Sequence, residues 1–515
     1  MRNTTLFLTL ALIPGAMSAA AAPPRTPAAA DPQVFSESLD VRVVNVESVV
    51  TDSRGNRVPG LGAADFRLLV DGKEVPIEYF TEVSAGTSLG ARAGATATAK
   101  GPEVEAPIPA GEAVGRRYLV FVDDAFSLVG ARNELLSKIE RDLALLKGED
   151  EMAVLAFDGK RLDVLADWTA DAKALAAALG RARQRPAFGH QALSHSRSLD
   201  EDYDLLYLAA ETADVDVKND RSYLDNRISP EVRTMMGRVA ATAASSLRAF
   251  PAPPGRKVMM MVSAGWAMAV GPQLFSPLLQ AANRLGYTLY PVDAAMSDVK
   301  GVKLLDALAA RTGGRVVSSA ANDALRQVVD DTSSYYWLGF TPTWKADERP
   351  HPIVVELRRA GLTARARKDF ADQSQRAESV QKAESVLLFG GDKANRRLIV
   401  ELGAATKTGR HEVEVPITLG VPVEALLLLP GSKGYGAEAP LAVAAEDREG
   451  GRADLPPLKI RVEVKEVPKK GTFARFQTKL KLRDAAQHLV FTVHDAVNGE
   501  AIWGEAEYVP GARPR

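Results

Sequence analysis

Between Tyr118 and Asp331 the chain alternates short apolar runs with stretches whose apolar residues recur at helical spacing, and few folds accept that rhythm. Tyr118–Val122 is apolar at every position, as a strand covered on both faces must be. Leu135, Leu136, Ile139, Leu143 and Leu146 then fall on one helical stripe. Met152–Phe157 returns to strand, Arg161–Leu165 reads as its hairpin partner, and Ala172–Ala182 is helical with Thr169 as the expected N-cap. Further on, Val232–Phe250, Gln273–Leu285, Val302–Arg311 and Asn322–Asp331 read as helices, separated by strands at Val258–Val262, Tyr287–Val292 and Arg315–Ser318. This pattern predicts an α/β doubly wound fold, a mostly parallel sheet between two helical layers. Tyr335–Phe340 and Ile353–Leu357 are expected to extend one edge of that sheet, with Tyr335, Tyr336 and Trp337 used in packing. Met259, Met260 and Met261 read as buried strand rather than as a metal or redox feature.

The flanks read differently. Arg2, the apolar run Leu6–Ala16 and the small residues through Ala22 have the layout of a secretory signal over residues 1–22, too short to span a bilayer. The expectation is therefore an exported chain, periplasmic or secreted, with no membrane span once the signal is removed. Residues 34–83 carry β-branched runs punctuated by turns at 52–56 and 71–73, the pattern of a small Ig-like β-sandwich. Residues 84–115, rich in Ala, Gly, Thr and Pro, read as a linker to a central domain over 116–370. Within it, residues 184–230 are polar and break the strand–helix rhythm, as loops that are functional or partly disordered do. A polar joint over 371–381 leads to strands between Val386 and Val493. These predict a second β-sandwich over 384–510, with 435–457 as an internal loop region.

Composition removes several classes of function. Lys and Arg total 64 against 65 Asp and Glu, so no basic excess marks a nucleic-acid binder. There is no cysteine, which excludes disulfides, Cys-ligated zinc or iron–sulfur sites and thiol catalysis. Phosphate-cradling and dinucleotide-binding glycine loops are absent, as is the Gly-x-Ser-x-Gly elbow. Of the six histidines, His190 and His195 sit together in the 184–230 stretch, but without helical zinc spacing or an accompanying Glu motif.

Six fragments in order, Tyr118–Asp123, Met152–Phe157, Lys257–Gly265, Gly286–Asp293, Ala309–Gly314 and Ser334–Phe340, together with Val58–Phe66 and Asp71-Gly72-Lys73, carry a resemblance. In this order and spacing the chain resembles the VWFA-related proteins best known from acidobacterial genomes, within the von Willebrand factor A domain family. The resemblance spans about residues 34–370. It implies a ligand site at the C-terminal ends of the parallel strands, where many A domains hold a divalent cation through Asp-x-Ser-x-Ser plus a Thr and an Asp from other loops. Hard cations take oxygen ligands, and an acidic group of a partner completes the shell.

Only part of that set is present. Asp123 and Ser127 match, but Ala125 stands where the first Ser belongs, and Ser263-Ala264-Gly265 replaces Thr-Asp-Gly. Asp123 and Ser127 are thus the metal candidates of a degenerate site, with Asp124, Ser263 and Gly265 as candidates for the ligand-facing rim. No cofactor is expected to be required, and Mg²⁺ is the cation the remaining donors would suit. The functional expectation is an adhesion-type module without catalytic activity that binds a protein partner and no nucleic acid. The alternatives are a hydrolase using the 184–230 insertion and a structural envelope-assembly protein.

Overall fold

The computed structural model describes residues 43–91, 109–189, 230–264, 272–294, 302–317, 323–344, 347–371, 374–431, 434–448, 450–455, 457–495 and 501–511. The expected signal, His190, His195, Gly265 and nearly all of the 184–230 insertion lie outside them.

Five strands open the chain: β1 (Val44–Asp52), β2 (Phe66–Val70), β3 (Lys73–Val75), β4 (Tyr79–Ser84) and β5 (Thr87–Ala91). The stretch expected as a linker therefore supplies a strand of its own. The central region follows, with β6 (Arg116–Asp123), α1 (Val129–Arg141), β7 (Glu151–Phe157), β8 (Leu162–Thr169), α2 (Ala172–Gln184), α3 (Pro230–Ala249), β9 (Arg256–Ser263), α4 (Ser276–Leu285), β10 (Tyr287–Asp293), α5 (Val302–Arg311) and α6 (Ala324–Ser333). Its strands lie in the order β10-β9-β6-β7-β8. Pairing is parallel except at β8, the antiparallel edge, and Val317 bridges Val292 in parallel on the other side.

Alternation along these strands explains why they are apolar throughout. Tyr118, Val120, Val122, Met260 and Val262 enter one core with Leu135, Ile139, Leu175, Leu179 and Val328 of α1, α2 and α6. Leu119, Phe121, Met259 and Met261 enter the other with Val239, Leu278 and Leu305 of α3, α4 and α5. Both faces are thus dry, and each strand position must be filled by a side chain. The cap of α2 is Asp171, whose carboxylate accepts the Lys173 N–H; Thr169, expected there, instead accepts the Asp171 N–H at 3.1 Å.

The chain then returns to where it began. Strands β11 (Tyr335–Phe340), β12 (Pro350–Leu357), β13 (Leu362–Ala366) and β14 (Asp369–Ala371) do not extend the central sheet. β11 inserts between β1 and β4 in a sheet ordered β13-β1-β11-β4-β5, and β12 pairs with β2 in a second, β14-β12-β2-β3. Val46, Phe66, Leu68, Phe80, Tyr336, Leu338 and Ile353 fill one core between them. The edge expectation fails because alternating strands look alike in sequence wherever they pair, and here the better partners were at the start of the chain.

Where a polar joint and a strand were expected, α7 (Gln375–Phe389) forms. After it come β15 (Ile399–Leu402), β16 (Thr406–Lys407), β17 (Glu412–Pro422), β18 (Leu429–Gly431), β19 (Gly434–Asp447), β20 (Arg452–Asp454), β21 (Leu458–Val464), β22 (Phe473–Arg483), β23 (Gln487–His494) and β24 (Ala501–Tyr508). They build two sheets around a core that includes Val415, Leu419, Val443, Val462, Leu489 and Phe491. The long β19 replaces the loop expected from 435. Helix α7 lies between this unit and the central one: Ala383 packs on Ala442 and Ala444, while the Phe389 ring meets Phe250 in a tilted contact, centroids 5.0 Å apart. No helix among the described residues is long and apolar enough to cross a membrane.

Candidate functional site

The strand order reverses beside β6, whose neighbours β7 and β9 belong to opposite directions of winding. Ligands of open α/β sheets collect at the C-terminal strand ends of that point. Here those ends bring Asp123 and Ser263 together, and the Ser263 hydroxyl donates to Asp123 Oδ2 at 2.7 Å. Asp123 Oδ1 accepts the N–H groups of Ala125 and Phe126 at 3.1 and 3.2 Å. The carboxylate therefore organises the first turn of its own loop, as Asp does wherever its side chain substitutes for a backbone acceptor. Ser127 is buried too, and its hydroxyl has no hydrogen-bond partner among the described residues.

Asp124 turns to a different task. Arg132 Nη1 reaches its Oδ1 at 2.5 Å and Arg185 Nε its Oδ2 at 2.6 Å. Arg132 sits on the buried stripe of α1 and is 0% exposed, so its remaining donors must also be satisfied. They go to the carbonyls of Arg185 at 2.7 Å and Pro186 at 3.3 Å and to Asn133 Oδ1 at 3.0 Å. Arg185 also pairs with Asp163 of β8 at 2.6 Å. Burial pushes the Asp124 carboxyl up, against the hydrogen bond from Arg185 and the charge of Arg132. Desolvation thus outweighs what the two arginines contribute to holding the charged form, as can happen for buried ion pairs.

The first residues of the insertion lie on this loop. The Phe188 N–H donates to the Asp124 carbonyl at 2.8 Å and that of Gly189 to the Ser127 carbonyl at 3.1 Å. A side chain at Gly189 would put its Cβ 2.7 Å from backbone atoms of Phe126 and Ser127, so only glycine permits this approach. Asp123, Asp124, Ser127, Ser263 and Ala264 are all buried as a result, while Phe188 is 56% exposed and Val129 is 43% exposed.

An adhesion-type cation does not fit these residues. Ala125 and Ala264 offer no oxygen, both Asp123 oxygens are engaged, and Asp124 faces guanidinium groups rather than open space. The buried Ser127 hydroxyl is, among the described residues of this loop, the polar side chain left without a partner. Among the described residues no group of three His, Cys, Asp or Glu is placed to hold a metal. Sequence reasoning brought Asp123, Ser127 and Ser263 to the same place but missed Arg132, Arg185 and Phe188. Arg132 was detectable: it lies at i−3, i−4 and i−7 from Leu135, Leu136 and Ile139, hence on the buried stripe.

No protein-family profile matches the chain, and no curated protein matches it. Solved structures do. Several of the neighbours are described as von Willebrand factor A-type proteins or domains. A von Willebrand factor type A protein from Catenulispora acidiphila is 12% identical, with 86% of this chain and 72% of that one covered and a TM-score of 0.23. The vWF domain of the type V pili tip protein Mfa5 from Porphyromonas gingivalis is 11% identical over 42% of this chain and 94% of that one, with a TM-score of 0.20. The pilus adhesin SpaC from Lactobacillus rhamnosus GG is 9% identical over 86% and 61%, with a TM-score of 0.25. Likeness at this level carries no argument about function, and the fold rests on the strand order and register given above.

Proposed function

We propose that the chain is an exported, non-catalytic protein-binding module. In this reading a doubly wound von Willebrand factor A-type domain sits between two β-sandwich domains, and its adhesion-type metal site is degenerate. The partner is a protein, met at the strand-end face together with the 184–230 insertion. One observation carries the reading: the start of that insertion is hydrogen-bonded onto the Asp123–Ser127 loop, and it holds an exposed aromatic side chain, Phe188, above it. A large apolar residue left in water on a backbone fixed at two points is the kind of anchor that dominates protein interfaces. The buried carboxylates and serines beneath would then be support for the recognition surface rather than contacts within it.

The test is capture from an envelope extract by the signal-free chain, with and without a chelator. Three baits are compared: the parent, Phe188→Ala, and a deletion of 190–229. A specific protein retained by the parent in chelator, and lost from both variants while their melting temperatures hold, supports the proposal. Equal retention by all three baits rejects this face as the binding site.

A further inference from the structure

The Asp123–Ser127 loop and the first residues of the insertion are joined through two guanidinium groups that meet at Asp124. We infer that Arg132 and Arg185 form a built-in cationic clamp that fastens residues 185–189 over the Asp123–Ser127 loop, so that closure of this face needs no divalent ion. The inference holds whatever the face binds.

Three features make the clamp a designed unit rather than a chance ion pair. First, the two guanidinium groups divide one carboxylate between them, Oδ1 to Arg132 and Oδ2 to Arg185, at 2.5 and 2.6 Å. Second, they approach from both sides of the joint. Arg132 comes from α1, directly after the loop, whereas Arg185 is the first residue beyond α2. Arg132 then binds back to the carbonyls of Arg185 and Pro186, so removing it releases carboxylate and strap together. Asn133 adds a hydrogen bond to the Arg183 carbonyl at 3.1 Å. Third, a planar guanidinium with five donors can satisfy a carboxylate and several carbonyls at once, a task for which a lysine ammonium has too few directed donors. Asp163 balances the second arginine, and the four groups sum to zero charge. Both Asp124 oxygens are therefore already held by guanidinium groups.

Hydrogen exchange in the full chain, read by NMR or by mass spectrometry of peptides over 183–189, tests this. In the parent protein the Phe188 and Gly189 amides should exchange at the same rate with millimolar Mg²⁺, Mn²⁺, Ca²⁺ or a chelator. Arg132→Met should speed both amides by about 100-fold, the scale of stranding one partner of a buried pair, while the amides of β9 keep their parent rates. Added Mg²⁺ should not restore them. Arg185→Gln, whose side chain lies nearer solvent, should give about a tenfold rise and serves if Arg132→Met does not fold. Three results would each overturn the clamp. One is slow exchange at both amides in a folded variant. Another is slowing of the parent's strap amides by a divalent ion. The third is acceleration that β9 shares equally, since that reports global unfolding.

Discussion

The two ends of the central sheet both bury charge, and they spend it on different tasks. At the C-terminal strand ends Asp124, Arg132, Arg185 and Asp163 all belong to the central unit and tie its own loops to one another. At the N-terminal ends Arg116 and Asp150 pair within the central unit, but further buried charges there take partners from the β unit. Arg256, which opens β9, is buried against Glu47 of β1 at 3.0 Å and lies over the Tyr335 ring at 4.0 Å. Asp331 of α6 receives Arg57 and Arg365 from the β unit at 2.5 and 2.6 Å, together with the Tyr290 hydroxyl at 2.7 Å. One end is a joint and the other a lid. The difference places a charged connection to the β unit at the base and leaves the start of the insertion at the strand-end face.

That contrast can be broken from either end. The largest effect is expected from Arg256→Met, which strands Glu47 and should cost about 3–5 kcal/mol. In scanning calorimetry the variant's β unit should melt separately from the central unit, where in the parent the two are expected to melt together. A single transition at the parent temperature would mean that the base is no joint.

Acid should loosen the base next. Burial raises the Asp331 carboxyl, but the charges of Arg365 and Arg57 and the Tyr290 hydrogen bond outweigh it and hold the group at about 2 against an ordinary 3.8. Because the folded value is the lower one, the contribution is complete above the ordinary value. It is lost as pH falls through 3.8 towards 2, and amounts to about 2 kcal/mol. Urea titrations between pH 6 and about 2.5 should show this slope flattened in Asp331→Asn; an unchanged slope would remove Asp331 from the account.

The rim should respond more locally. Gly189→Ala forces a Cβ against the backbone of Phe126 and Ser127 and should cost about 1–3 kcal/mol, read as faster exchange over 185–189 with β9 undisturbed. The smallest change is expected from Ser127→Ala. Its hydroxyl is buried with no partner among the described residues, so deletion should shift stability by less than about 0.5 kcal/mol or raise it. A substantial loss would reveal a group that the hydroxyl serves.

How far these features could be read from sequence depends on how each is encoded. The central strands were legible because both faces are dry, and the helices because their stripes are long and made of Leu, Ile and Val. Helix α7 was not. The residues it buries include Ser379 and Ala383, small groups that let two units approach and that leave no strong periodic signal. Strand β19 begins Gly434-Tyr435-Gly436-Ala437, a composition that suggests a loop, and it is held by pairing with β21 and β23 rather than by its own propensity. The union of β1–β5 with β11–β14 was hidden because strand partners are chosen by tertiary fit, which local pattern does not record. At the site, Asp123 and Ser127 stood out through their spacing, whereas Arg185 gains its meaning only once α2 has folded back beside α1.

The divided β unit has one more consequence, and it concerns the order in which the chain is made. Its first five strands leave the ribosome lacking the neighbour that will separate β1 from β4, and that neighbour arrives only when Tyr335 emerges. Until then the unpaired edges of β1 and β4 are open to wrong partners. The central unit lies between these halves in the chain, and by folding it draws the two halves of the β unit to the same end of the sheet. It converts a long loop closure into a short one. The middle of this chain is therefore also its assembly jig, and damage there should surface first as aggregation of a region that carries no mutation.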